Sequence, residues 1–188
     1  MDAKPSRNGT AIVLFVFLMS VPILAAGCPE KGGSAMAFEL TTTAFQKDGF
    51  IPMKFTCDGP DVSPALAWNE PPAGTRSFAL VVDDPDAPGG TWVHWVIYDL
   101  PPSLRSLPEG LAKSRELPDG SRQGQNDFRR IGYNGPCPPR GSAHRYFFKL
   151  YALDIKTNLT AGVTKRELER AMNGHFLAQS EIVGRFQH

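Results

Sequence analysis

Apolar positions along this chain come in short runs, separated by stretches rich in proline and glycine. Ser77 to Asp83 is apolar and β-branched and ends in an acidic, proline-bounded turn. Trp92 to Leu100 is a second run, closed by Pro101-Pro102, and Arg145 to Leu153 is a third, rich in aromatics. Runs of this length and composition predict β-strands. Shorter strands are expected at Phe38 to Phe45, Ala65 to Trp68 and Ile182 to Phe186. The 17 prolines punctuate the gaps and exclude long helices there. One helix is predicted from Thr164, where Thr-Lys-Arg-Glu forms a capping box. Leu168, Ala171 and Met172 follow at helical spacing, with Gly174 as the stop. A weaker helical or irregular piece is expected between Ser103 and Leu111. Together these predict a mostly β fold, a sandwich of two antiparallel sheets with a few short peripheral helices.

The first residues follow a different pattern. Lys4 and Arg7 precede a charge-free run from Ala11 to Ala26, and Ala25-Ala26-Gly27 places small residues just ahead of Cys28. A basic start, an apolar middle and small residues at the cut predict a signal peptide over residues 1–27. The competing reading, a permanent anchor, needs an apolar run of about 20 residues, and this one falls short. Leu24-Ala25-Ala26-Gly27-Cys28 resembles a bacterial lipobox, whose cysteine becomes the lipid-bearing first residue. Ala25 stands where the commonest form has leucine, so simple cleavage after Gly27 is the alternative. Residues 28–37 are then a lipidated cysteine and a short flexible tether, and residues 38–188 the folded domain. The expected location is the cell envelope, held to a membrane through the N-terminal lipid. The alternative is a soluble periplasmic or secreted protein.

Cleavage before Cys28 leaves 161 of the 188 residues, enough for one domain with a real core. Asp2, Lys4 and Arg7 leave with the signal, so 18 basic and 18 acidic residues remain of the 20 and 19. The mature chain is formally neutral and has no cluster of Lys and Arg interleaved with aromatics, which argues against a nucleic-acid partner. Of the three cysteines, Cys57 and Cys137 remain as an even pair in an oxidising compartment. A disulfide between them would close a loop of about eighty residues and stabilise the fold by roughly 4 kcal/mol. Two buried thiols, or two metal ligands, are the alternatives.

Candidate chemistry gathers in three places. Period-two alternation puts Trp92, His94, Val96 and Tyr98 on one strand face, and His144 with Tyr146 and Phe148 on another. Each strand so places a histidine near its start among aromatic neighbours; the plain alternative is two core histidines bonded to backbone carbonyls. Asp84-Pro85-Asp86-Ala87-Pro88 is a stiff acidic turn ten residues ahead of His94. A carboxylate beside an imidazole fixes its tautomer and favours its charged form, a good donor to an anion. Finally, the glycine- and proline-dense stretch Gly132 to Gly141 is conformationally restricted and lets a ligand approach backbone amides.

D-P-D-A-P at Asp84 to Pro88, H-W-V-I-Y at His94 to Tyr98, G-P-C-P-P-R-G at Gly135 to Gly141 and H-R-Y at His144 to Tyr146 resemble, in this order, the phosphatidylethanolamine-binding proteins. With S-P-A-L-A-W at Ser63 to Trp68, the likeness is to their bacterial, Raf kinase inhibitor-like branch, and it runs from about Phe38 to Phe186. The resemblance implies a β-sandwich with a pocket for phosphate, phosphorylated head groups and similar small anions. It implies ligand-binding roles for Asp84, Asp86, His94, Gly135, Pro138, Pro139, His144 and Tyr146, with Trp92 in the wall. Where eukaryotic members tend to carry glycine before the two prolines, this chain has Cys137, so a bond to Cys57 would pin the pocket loop.

The expected function is therefore a non-catalytic, exported binding protein for a small anion, with affinity rising as pH falls through about 6.5. A protein-interaction module, inhibiting a protease or kinase, is the alternative. A metal-dependent hydrolase is the third reading, although H-E-x-x-H, G-x-S-x-G and paired C-x-x-C motifs are absent. No cofactor and no metal is expected.

Overall fold

The computed structural model describes Met1 and residues 37–188. The expected signal peptide and lipobox, and the expected tether up to residue 36, lie outside the described residues. Eight strands and one α-helix follow in chain order: β1 (Leu40–Thr41), β2 (Leu66–Trp68), β3 (Ser77–Asp84), β4 (Trp92–Leu100), β5 (Ser106–Leu107), β6 (Arg122–Gln123), β7 (His144–Leu153), α1 (Lys165–Met172) and β8 (Phe176–Phe186). A single 3-10 turn spans Met53–Phe55. The strands form two sheets, β1-β2-β5 and β6-β4-β3-β7-β8, and every pairing between them is antiparallel. The expected sandwich is the observed one.

The central strands of the large sheet, β3 and β4, are buried on both faces. Toward the small sheet, Phe78, Leu80, Val82, Trp95, Ile97, Tyr146, Phe148 and Leu150 pack on Leu40, Leu66, Trp68 and Leu107. On the other face, Ala79, Val81, Val96 and Tyr98 lie under Leu168 and Met172 of α1. Burial from both sides explains why β3 is a continuous apolar run and not an alternating one. Helix α1 starts as its capping box requires: the Glu167 amide donates to the Thr164 hydroxyl, and the Glu167 carboxylate accepts from the Thr164 amide at 2.7 Å. Gly174 stops it with φ of +82°.

Ser103 to Leu111 is irregular, one of the two forms expected for it, except for the two-residue strand β5, which pairs with β2. Three other expectations are corrected. Phe38 to Phe45 contributes strand only at Leu40–Thr41, and the last strand is longer than Ile182 to Phe186, beginning at Phe176. The single face Trp92–His94–Val96–Tyr98 also does not form. Val82 pairs with Trp95 but Asp83 pairs with Val93, so His94 is the extra residue of a β-bulge. Beyond the bulge Val96 and Tyr98 face the helix, while His94 turns to pack edge-on against Tyr146, ring centroids 5.2 Å apart, on the sandwich side. The bulge thus aims His94 at the end of the core.

Candidate functional site

At that end of the sandwich β3 stops, β4 starts and β7 starts side by side, because β3 pairs with both neighbours. Between them opens a cavity of about 290 Å³. The β3–β4 turn (Asp84 and Ala87 to Thr91), Trp92 and His94, Phe128, the Cys137-Pro138-Pro139 loop and His144 line it. Of the residues expected at the site, Asp84, Trp92, His94, Pro138, Pro139 and His144 are therefore in the wall.

The acidic turn is held by β7. Asp84 is buried and uses both carboxylate oxygens: one accepts from the Asp86 amide at 2.8 Å, closing the turn, and the other from His144 Nδ1 at 2.8 Å. His144 donates through Nδ1, which leaves Nε2 as its free nitrogen. Asp86 points away from the cavity and clamps Arg145, accepting from its amide at 3.0 Å and from its guanidinium at 2.9 and 2.7 Å. That guanidinium holds the Asp86 carboxyl at about 2, well below its ordinary 3.8. The carboxylate beside an imidazole is thus real, but its partner is His144, sixty residues away, and not His94.

His94 is buried, and its Nδ1 donates to the Asn134 carbonyl at 2.8 Å. Burial pushes its pKa down, against the opposing pull of that carbonyl and of the Asp84 and Asp127 carboxylates. The ring is therefore neutral at neutral pH, and Nε2 is a lone-pair acceptor. The expected imidazolium donor is replaced by an acceptor because the bulge buries the ring instead of leaving it at the mouth. Nε2 of His94 and the hydroxyl of Tyr146 are both buried without a hydrogen-bond partner. Burial first, and then the nearby Asp84 charge, keep the Tyr146 hydroxyl protonated far into the alkaline range. Unpaired buried polar atoms each cost about 1–3 kcal/mol, so two in contacting rings at one cavity are a functional signal.

Gly135 and Tyr146 do not line the cavity; they stand behind it. Gly135 donates its amide to Asp61 at 2.6 Å, and an added Cβ would collide with the Phe55 carbonyl oxygen. Only glycine lets the loop lie this close to the 3-10 turn. The Asn134 side chain donates to Asp61 at 2.9 Å and accepts from Asn126 at 2.9 Å. Cys57 and Cys137 form the expected disulfide, Cα atoms 5.4 Å apart, and the Cys57 amide donates to the Pro136 carbonyl at 3.0 Å. The loop is thus fastened at Asn134, Gly135 and Cys137.

Phe128, Asp61 and the Asn126–Asn134 pair were missed at the sequence level. Phe128 stands edge-on to both Trp92 and His94, at 5.4 and 5.3 Å. Its loop is tied to β4 by the Val93 amide, which donates to Asp127 at 2.7 Å. A lone aromatic in the polar stretch from Gly124 to Arg130 was the available signal. The arrangement offers an apolar, aromatic mouth over one acceptor imidazole and one carboxylate-held imidazole, with the Tyr146 hydroxyl buried behind the His94 ring. Asp84, His94 and His144 do not bring three ligand atoms to one point; among the described residues only Cys57, Cys137 and His188 do so.

Comparison with known proteins bears on the same residues. Residues 41–187 match the family described as phosphatidylethanolamine-binding protein. The UPF0098 protein of Aquifex aeolicus is 48% identical over 160 residues, covering 84% of this chain and 92% of the relative. The UPF0098 protein YbhB of Escherichia coli is 42% identical over 132 residues, covering 69% and 84%. Among solved structures, E. coli YbcL, described as a new member of the mammalian PEBP family, superposes with a TM-score of 0.75 at 33% identity, covering 80% of this chain and 98% of that one. A phosphatidylethanolamine-binding protein homologue from Chlamydia trachomatis superposes with a TM-score of 0.73 at 39% identity, covering 81% and 98%.

Proposed function

The chain belongs to the phosphatidylethanolamine-binding protein family, and from that premise we propose that it is a non-catalytic binding protein whose pocket takes a small anion, a phosphate or a phosphorylated head group. The observation that carries this reading is the pair of unpartnered buried atoms in contacting rings, His94 Nε2 in the pocket wall and Tyr146 Oη directly behind it. A monoanionic phosphate suits both: an oxygen accepts from Tyr146, and a P–OH donates to His94. His144, held by Asp84, offers Nε2 from the opposite wall. A volume of about 290 Å³ lies at the lower edge of small-ligand sites, about 300–1,000 Å³, which suits a head group and leaves acyl chains outside.

The same groups speak for binding over catalysis. Asp84 is committed to His144 and the turn, and Asp86 to Arg145, so neither carboxylate is free to activate water. Isothermal titration with phosphate and phosphoethanolamine at about pH 5 and about pH 8, spanning the histidine range, tests the reading. Tighter binding at the lower pH is expected, because proton uptake by a pocket histidine or by the phosphate adds a donor to the anion. Sulfate, which stays a dianion, separates protein from ligand: it gains affinity only if a pocket histidine is the group that protonates. Equal affinities for phosphate at both values would sink the proposal.

We also infer export, with a lipid on Cys28. The basic start, the apolar run and the small residues before Cys28 support it. So does the Cys57–Cys137 disulfide, a bond that persists in oxidising compartments. Incorporation of labelled palmitate that is lost in Cys28→Ala is the expected result. Incorporation that survives the substitution would rule out this site.

A further inference from the structure

Cys137 belongs to the pocket loop, but its sulfur takes part in a second constellation. His188, just beyond β8, lies with Nε2 3.9 Å from Cys57 Sγ, and its Nδ1 donates to Asp58 at 3.0 Å. The ligand atoms of Cys57, Cys137 and His188 all lie within 4.8 Å of one another. We propose that these three side chains form a metal site for a soft divalent cation of the zinc class, closed while the disulfide stands and opened by its reduction.

The chemistry of the donor set points to zinc. Two thiolates and one imidazole, with a water in the fourth position, make a known tetrahedral zinc environment. Asp58 supplies what such a histidine needs: by accepting from Nδ1 it fixes the tautomer and turns the Nε2 lone pair toward the sulfurs. A structural ion pair would not require Nε2 to face a sulfur. Geometry permits the site as well. Around one zinc, an imidazole nitrogen and a thiolate sulfur sit about 3.5 Å apart and two thiolate sulfurs about 3.8 Å apart. The first separation needs only a small shift from 3.9 Å, and Cα atoms 5.4 Å apart allow the second by side-chain rotation. All three residues are solvent-accessible, so reductant and ion have a path.

The switch balances as thiol–disulfide exchange. A dithiol reductant gives two electrons and two protons to the Cys57–Cys137 bond and itself closes to a disulfide. The two freed thiols then lose their protons to solvent as they take up the cation. The same side chains thus hold the pocket loop covalently in an oxidising compartment and through a metal in a reducing one.

Cobalt(II) is the probe, added to the full chain before and after reduction by a dithiol that is then removed by desalting under nitrogen. The oxidised chain is expected to show no thiolate-to-cobalt charge transfer. The reduced chain should bind one equivalent with that band and with the visible bands of tetrahedral cobalt, displaced by zinc. His188→Ala should weaken binding at least tenfold and lose the tetrahedral pattern, and Asp58→Asn should weaken it by about 10–100-fold, as loss of an outer carboxylate does. A reduced chain without the charge-transfer band overturns the proposal. So does a His188→Ala protein that binds cobalt with the same spectrum and affinity. That comparison decides even if reduction unfolds the chain, because thiols of an unfolded chain bind without regard to a histidine 131 positions from Cys57.

Discussion

Tyr146→Phe is the perturbation that separates a binding pocket from a merely well-packed end of the core. The residue is fully buried, its ring packs on His94, and its hydroxyl makes no hydrogen bond. Phenylalanine keeps the ring and nearly all the volume, so packing is conserved. What changes is the desolvated hydroxyl, which costs about 1–3 kcal/mol when left unmade. The variant should therefore be more stable than the wild type without ligand, by about 1 kcal/mol. For a domain of this size that is a rise in Tm of about 2–4 °C. The same change removes a hydrogen bond to a charged ligand, about 1.5–3 kcal/mol, which is about a tenfold or greater loss of phosphate affinity. Thermal unfolding in an anion-free buffer gives the first number and isothermal titration the second. A variant less stable than wild type would mean that the protein itself satisfies the hydroxyl. Unchanged affinity would mean that the hydroxyl does not face the ligand. Either result refutes the reasoning.

Other expectations follow from neighbouring groups. Gly135→Ala forces a Cβ against Phe55 and Thr56 backbone, so it should cost about 1–3 kcal/mol by overpacking and weaken phosphate binding by moving the Pro138-Pro139 wall, both read by the same two assays. Arg145→Ala frees Asp86, whose carboxyl should return from about 2 toward 3.8 in an NMR titration. Because that pKa is depressed in the fold, the stability the pair contributes is present above about pH 4 and vanishes as pH falls toward 2. His94 works in the opposite direction. Its folded pKa is lowered by burial, so below about 6.5 the unfolded chain takes up the proton first and stability falls with pH. His94→Gln should flatten that slope in denaturant titrations across the acidic range, and a slope equal to that of the wild type would remove His94 as its source.

The parts of this fold that were legible in the sequence are those fixed by local chemistry or by burial over many residues. Strand β3 reads as apolar throughout because both of its faces are covered, and the Thr164–Glu167 box announces α1 directly. The two-residue strands β5 and β6 have no period to read; pairing with β2 and β4 alone makes them strands. The side on which His94 lies could not be read either. Its bulge depends on how Val82 and Asp83 register against β4, a tertiary fact that reverses the alternation. The acidic turn was recognised as held, but chain distance favoured His94 as its partner. The antiparallel pairing of β3 with β7 brings in His144 and Arg145 instead. Phe128 reaches the pocket because its loop is bonded to β4 at Val93 and His94, a tertiary contact that its neighbours do not foretell. The family motifs named most of the wall, and the free valences behind it, Tyr146 Oη and His94 Nε2, emerged only from the packed structure.

A crystal of the oxidised chain soaked in phosphate examines the pocket most directly. The anion is expected between His94 and His144, with one oxygen accepting from Tyr146 Oη, a second within hydrogen-bond reach of His94 Nε2, and Trp92 and Phe128 over its open side. An anion bound elsewhere on the surface, with Tyr146 Oη and His94 Nε2 still unpartnered at saturating phosphate, would contradict the assignment of this cavity as the binding site.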